Sequence, residues 1–202
     1  MKVTILASTR GTDMEAIFGA VASGRLKGVE ISAVMSDRED AYSLERARKH
    51  GIPAVFINPR GKRREEFDRE VARILEEKGA DLVLLIGYMR LFSPWFVEKF
   101  RNRIINVHPS LLPAFGGGMD IDVHRMVLEY GAKVSGATVH FVDEGTDTGP
   151  IILQKTVDID EEETPESLKR KVQEVEGELL VKAIELLRDG RLEVVGRKVK
   201  IK

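Results

Sequence analysis

Asn106 and His108 stand two residues apart at the end of an apolar run, in the stretch INVHPSLLP of residues 105–113. In an extended chain, residues i and i+2 project from one face, so an amide and an imidazole are presented side by side. An amide N–H can donate to a developing oxyanion, and an imidazole can move protons near neutral pH. The polar loop DEGTDTGP, residues 143–150, holds Asp143, Glu144 and Asp147 and could bring a carboxylate to His108. That contact would stabilise imidazolium and raise the histidine pKa. The set suits acyl transfer. With no cysteine and no serine in a nucleophile elbow, direct attack by a substrate is favoured over a covalent enzyme intermediate. The ordinary alternative is a structural histidine, which is the commoner role for a lone one.

Two further segments offer binding rather than chemistry. In STRGTDM, residues 8–14, an apolar run passes into a helix through a turn containing Gly11, Thr12 and Asp13. Free N–H groups at such a turn favour an anion, often phosphate; a tight turn with a capped helix is the plainer reading. The turn is neither a GxGxxG fingerprint nor a Walker loop. Asp13 is awkward there, because a carboxylate beside a phosphate is repulsive unless it points away. In GYMRLFSP, residues 87–94, Met89, Leu91 and Phe92 flank Arg90 where the chain should leave the core. They form either packing beneath a loop or an apolar slot for a flat aromatic ligand. No HExxH or Cys/His cluster suggests a metal.

The elements that must position these groups alternate in type. Strands are expected over 2–7, 30–36, 53–58, 81–88 and 104–107, with helices over 12–24, 41–51, 63–79 and a short one from Pro94. Thr12 or Asp13 is available to cap the first helix. Phe67, Val71, Ile74 and Leu75 make one stripe on the third, and Leu44, Ala47 and Arg48 share helical spacing on the second. The run DLVLLIGY is apolar on both faces, as a central parallel strand requires. After a glycine-rich loop at 114–120 and a helix over 123–131, the strands 135–143 and 149–159 read as an antiparallel hairpin. A long helix follows over 164–190, capped by Thr164, opened by Pro165 and ended by Gly190. The tail 191–202 is either a terminal strand or loosely attached. This pattern predicts an α/β fold: a Rossmann-like open twisted sheet, mostly parallel in the N-terminal half and antiparallel in the C-terminal half, with helices on both faces. In such sheets ligands bind beyond the carboxyl ends of the strands, where all three candidate segments lie.

Composition narrows the function classes. A chain of 202 residues with net charge −1 fits one domain and carries no basic excess for nucleic acid. No segment approaches membrane length, and the apolar start is too short for a signal peptide. The absence of cysteine is compatible with a cytoplasmic protein. Amides are scarce, with three asparagines and two glutamines among many Glu, Lys and Arg, as in heat-adapted proteins.

The segments ILASTRGTDMEAI, VMSDREDAYSLERARKHGIPA, DLVLLIGYMRLFSPWFVEKF, IINVHPSLLPAFGG and SGATVHFVDEGTDTGPIILQ together resemble the folate-dependent phosphoribosylglycinamide formyltransferases of purine biosynthesis. The resemblance runs from residue 2 to about 190. It implies an enzyme that transfers the formyl group of 10-formyltetrahydrofolate to the amine of glycinamide ribonucleotide. Asn106, His108 and Asp147 match the family's catalytic trio: Asn106 on the formyl oxygen, His108 on the oxyanion and the protons, Asp147 holding His108 and raising its pKa. Gly11, Thr12 and Asp13 match the phosphate turn, and Gln173 and Glu176 a ribose-contacting segment. Arg64, Met89, Arg90, Leu91 and Phe92 match folate positions, with Asp143 and Glu144 in a loop closing over the pterin; His140 reads as structural support. The implied arrangement is a single domain with a nucleotide- and phosphate-binding half over 1–107, a catalytic and folate-binding half over 108–190, and the tail. Its partners would be the two small-molecule substrates, with no metal, nucleic acid or membrane, in a monomer or homodimer.

Two departures stand out. The family turn commonly reads Gly-Asn-Gly-Ser-Asn, where this chain has TRGTD. Asp13 is therefore expected to turn outward as a helix cap while backbone N–H groups bind the anion. The loop AFGGGMDIDVH is longer and richer in glycine than the common form. Two other functions compete: a stand-alone 10-formyltetrahydrofolate deformylase, in which water replaces the amine, and a non-catalytic nucleotide- or folate-binding domain. The intact phosphate turn disfavours the first, and the complete trio disfavours the second. Length separates the chain from the tRNA formyltransferases, which carry an added C-terminal domain.

Overall fold

In a computed structural model that describes residues 1–118 and 121–202, one sheet runs through the chain. Its strands are β1 (Lys2–Leu6), β2 (Glu30–Ser36), β3 (Ala54–Phe56), β4 (Leu82–Leu85), β5 (Ile104–His108), β6 (Val134–Phe141), β7 (Ile151–Asp158), β8 (Leu192–Val195) and β9 (Lys198–Ile201), in the order β3-β2-β1-β4-β5-β6-β7-β9-β8. The five strands of the first half pair in parallel. From β5 onward the pairing turns antiparallel, except where β9 joins β7. The sheet therefore has the expected mixed character, with β4 and β5 at its centre.

Helices α1 (Met14–Ala22), α2 (Tyr42–Lys49), α3 (Arg64–Glu77), α4 (Pro94–Lys99), α5 (Ile121–Tyr130) and α6 (Pro165–Arg188) cover both faces. Alternation along the strands divides the core in two. Leu82, Leu84 and Ile86 join a cluster with Met14, Ile17, Leu44 and the apolar face of α6. Val83 and Leu85 point the other way, into a cluster with Phe67, Val71, Leu75, Phe96 and Phe100 from α3 and α4. Burial on both faces explains why β4 reads as an unbroken apolar run. Each fully buried residue such as Phe67 contributes on the order of 2–3 kcal/mol relative to exposure.

Sequence signals set the helix ends unequally. Thr164 caps α6 by accepting from the Ser167 N–H at 3.1 Å, and Pro165 opens the helix. Asp13 occupies the N-cap position of α1, but its side chain makes no capping hydrogen bond, so the expected cap is corrected. Arg48 is exposed, leaving Leu44 and Ala47 to anchor α2. The tail is neither one strand nor loose: it folds back as β8 and β9, and Arg197 in its turn donates to the Thr148 carbonyl at 2.8 Å. Of the glycine-rich loop, Ala114–Gly118 is described, and Met119 and Asp120 lie outside the described residues.

Candidate active site

A cleft of about 540 Å³ opens at the carboxyl ends of β1, β4 and β5. It brings together Gly11, Thr12, Asp13, Met89, Arg90, Leu91, Phe92, Asn106, His108, Asp143, Glu144, Asp147, Gln173 and Glu176. These come from segments as far apart as α1 and α6. Arg64 is the exception, because it does not line the cleft. It sits on the first turn of α3 and donates Nε–H to the Leu91 carbonyl at 2.9 Å, bracing the 89–92 wall.

Strand register assembles the polar centre. On β5, Asn106 lies opposite His140 of β6. The Asn106 amide donates to His140 Nε2 at 3.2 Å and, with a longer contact of 3.4 Å, to Asp147 Oδ1. His140 Nδ1 in turn donates to the Phe141 carbonyl at 2.8 Å, and its Nε2 also lies 3.6 Å from Asp147 Oδ1. Asp147 arrives from the loop after β6 in a left-handed conformation, φ 54°, that a short polar side chain tolerates. Its Oδ2 lies 3.2 Å from His108 Nδ1 and accepts from the Gly117 N–H at 2.9 Å. Asp143 holds that loop from inside by accepting from Gly145 N–H and the Thr148 hydroxyl, at 3.1 and 2.6 Å.

His108 is only 3% exposed, and burial decides its titration. Nδ1 faces Asp147 and Nε2 lies 3.0 Å from the Phe115 carbonyl, so both nitrogens meet acceptors. Those two contacts favour a second proton. Burial opposes the charge and outweighs them, and His140 adds to the effect, so the pKa falls below the ordinary histidine value. The expected rise is therefore corrected. Asp147 contributes the upward pull anticipated, but desolvation of the ring is larger. For Asp147 itself, burial pushes the carboxyl upward, and this is outweighed by His140, the charge of His108 and the Gly117 N–H, leaving it below the usual aspartate value.

The wall at one side is apolar and open. Met89 and Leu91 are exposed, whereas Phe92 is buried and stacks on Phe96 at 4.1 Å between ring centroids. Arg90 lies over the Phe67 ring, 4.4 Å from its centroid. An exposed pair of long apolar side chains beside a cleft suits a planar ligand better than it suits packing. Ser8 links this wall to the turn at the far side, accepting from the Met89 N–H at 2.9 Å and donating to Asp37 at 2.6 Å.

At that far side, α1 begins with Met14 N–H bonded to Gly11 and Glu15 N–H to Thr12. Gly11 has φ +59°, and a Cβ there would lie 2.7 Å from Met14 Cε. Only glycine keeps the turn in this shape without displacing its neighbours. Arg46 of α2 fastens it from outside, donating Nε–H to the Arg10 carbonyl at 2.8 Å and Nη1–H to Glu15 at 2.6 Å.

Several cleft residues were not singled out from the sequence. Gly117 could be placed only by folding, since its N–H reaches Asp147 across 30 residues. Lys169 had a local signal, standing one helical turn before Gln173 on the same face of α6. His124, one of four histidines, is buried in α5 at the cleft wall.

The profile of a family described as formyl transferase matches residues 1–184. The phosphoribosylglycinamide formyltransferase of Escherichia coli K12 is 36% identical over 195 residues, covering 96% of this chain and 90% of that protein. The chicken (Gallus gallus) trifunctional purine biosynthetic protein adenosine-3 is 38% identical over 96% of this chain, which spans 19% of that longer protein. Among solved structures, glycinamide ribonucleotide transformylase 1 from Symbiobacterium toebii superposes with TM-score 0.94 at 44% identity, covering 100% of this chain and 93% of that one. A formyltetrahydrofolate deformylase from Pseudomonas syringae reaches TM-score 0.89 at 27% identity, covering 99% of this chain and 65% of that one.

Proposed function

Because the chain belongs to the formyl transferase family, we propose that it transfers the formyl group of 10-formyltetrahydrofolate to the amine of glycinamide ribonucleotide. The observation that carries this reading is the convergence of Asn106, His108 and Asp147 between an apolar wall and a helix N-terminal turn. The turn Gly11–Asp13 would take the phosphate, Gln173 and Glu176 the ribose, and Met89, Leu91 and Arg90 the folate. Phe92 would back that wall from the core, and Asp143 and Glu144 would close the loop over the pterin.

The amine nitrogen bonds to the formyl carbon as the carbonyl electron pair moves onto oxygen. The Asn106 amide is the donor to that oxygen, exchanging its 3.4 Å contact with Asp147 for the incoming acceptor. A pKa below the ordinary histidine value favours the neutral His108 ring near pH 7. With Nδ1–H on Asp147, the Nε2 lone pair, turned from the Phe115 carbonyl to the substrate, would take a proton from the attacking amine. Asp147 then stabilises the imidazolium as it forms. Collapse breaks the bond between the formyl carbon and the folate nitrogen, which receives the proton.

In this reading residues 1–107 hold the phosphate end and 108–190 the chemistry and the folate. The setting is cytoplasmic, supported by the cysteine-free sequence. No helix among the described residues is long and apolar enough to cross a membrane, and no group of side chains among them has a metal-site arrangement. The reading needs neither membrane, metal nor nucleic acid, and is compatible with a monomer or a homodimer.

The test is formyl transfer by purified protein with 10-formyltetrahydrofolate, with and without glycinamide ribonucleotide. Folate turnover that requires the amine is expected. Equal turnover without it would mean a deformylase, and binding of both ligands without turnover would mean a non-catalytic domain. The lower identity to the deformylase structure than to the transformylase favours the first outcome.

A further inference from the structure

Near the phosphate turn, α6 carries a cation that makes no hydrogen bond or ion pair among the described residues. Beyond the main cleft lies a smaller cavity of about 300 Å³, sharing Thr12, Asp13 and Gln173 with it and bordered by Arg170, Glu174 and Gly177. Residues 170, 173, 174 and 177 follow the i, i+3, i+4, i+7 spacing of one helix face, and that face meets α1. The two helices approach closely: a Cβ on Gly177 would lie 2.7 Å from the Ala16 Cβ. Arg170 is thereby held across from the first turn of α1. It is exposed, and among the described residues it has no hydrogen bond or ion pair, even with Glu174 one turn on. The other cations at the cleft are engaged. Arg10 lies over the Tyr42 ring at 5.2 Å, and Lys169 has a partner.

Resting on the functional reading above, we propose that Arg170 is a phosphate-binding residue of this chain, closing on the phosphomonoester of the amine substrate from the side opposite the Gly11–Asp13 turn. A guanidinium fits the task for two reasons. Its planar fork can meet two phosphate oxygens at once, and its permanent positive charge attracts a dianion beside Glu174. The turn would then bind through backbone N–H groups while Arg170 supplies the net positive charge. Specificity for a phosphorylated amine over its unphosphorylated riboside would depend on α6 as well as on the turn.

Calorimetric titration with ribose 5-phosphate at low salt, on the wild type, Arg170→Met and Arg170→Lys, tests this without relying on turnover. Loss of one charged, bidentate contact is expected to weaken ribose 5-phosphate about tenfold in Arg170→Met. Arg170→Lys should fall between. Tetrahydrofolate affinity and kcat should be unchanged, while KM for the ribonucleotide rises with the ribose 5-phosphate Kd. An unchanged ribose 5-phosphate affinity in Arg170→Met would overturn the proposal, as would a parallel loss of folate binding, which marks a general structural defect. If ribose 5-phosphate binding depends on Arg170 but the wild type never formylates the ribonucleotide, this inference stands and the functional reading falls.

Discussion

The Gly11–Asp13 turn and the Asn106–His108–Asp147 cluster line one cleft and are held by different means. The turn is local. One glycine at positive φ shapes it, the first helical bonds of α1 close it, and Arg46 clasps it from outside. The cluster is assembled from a distance: two residues on β5 and one in a loop, with His140 of β6 and Gly117 completing the shell. A site for binding an anion can be built from backbone N–H groups that a turn aims at one point. A site for moving a proton needs a side chain whose pKa is set by burial and charge, and only the packed interior supplies those.

Side-chain removal should separate the two regions most sharply at His108. His108→Ala is expected to lower kcat by roughly 10³-fold while folate and ribose 5-phosphate affinities hold, checked by steady-state kinetics beside equilibrium titration. Comparable loss of binding would mean that the cluster is a structural support and the contrast is false.

Asp147→Asn should cost less, on the order of 10²-fold in kcat, and should move the pH profile. The neutral ring is the working form, so the rate falls as pH drops through the His108 pKa, which lies below the usual histidine range. Asp147 raises that pKa against the larger effect of burial. Without its charge the acid limb of kcat/KM should move to lower pH. A limb that stays in place would separate Asp147 from His108 titration.

In the turn, Gly11→Ala should raise KM for the ribonucleotide by about tenfold with kcat nearly unchanged, and lower stability by about 1–3 kcal/mol in denaturant melts. Loss of turnover at saturating substrate would erase the distinction. Arg46→Met should act in the same direction and more weakly, about threefold in that KM, since it removes one hydrogen bond to the Arg10 carbonyl and one to Glu15 near the surface. Arg46→Lys, which keeps the charge and loses the fork, should recover part of the effect.

The same contrast governs what could be read in advance. The strand run DLVLLIGY and the α6 boundaries at Thr164, Pro165 and Gly190 follow from periodicity and capping, which act within a few residues. So does the pairing of Asn106 with His108 on one face of β5. That Asp147 is the carboxylate facing His108, ahead of Asp143 or Glu144, was legible through family resemblance, and loop composition alone left all three open.

Tertiary structure decided the rest. Arg64 braces Leu91 because α3 packs behind that wall. The tail becomes β8 and β9 because β7 offers an edge to pair with. His108 loses basicity although a carboxylate stands beside it, because desolvation is a sum over everything packed around a ring and the sequence names only its neighbours along the chain. Local rules fixed which groups this protein has and which way each strand presents them. Their charge states and partners depended on contacts between segments more than thirty residues apart.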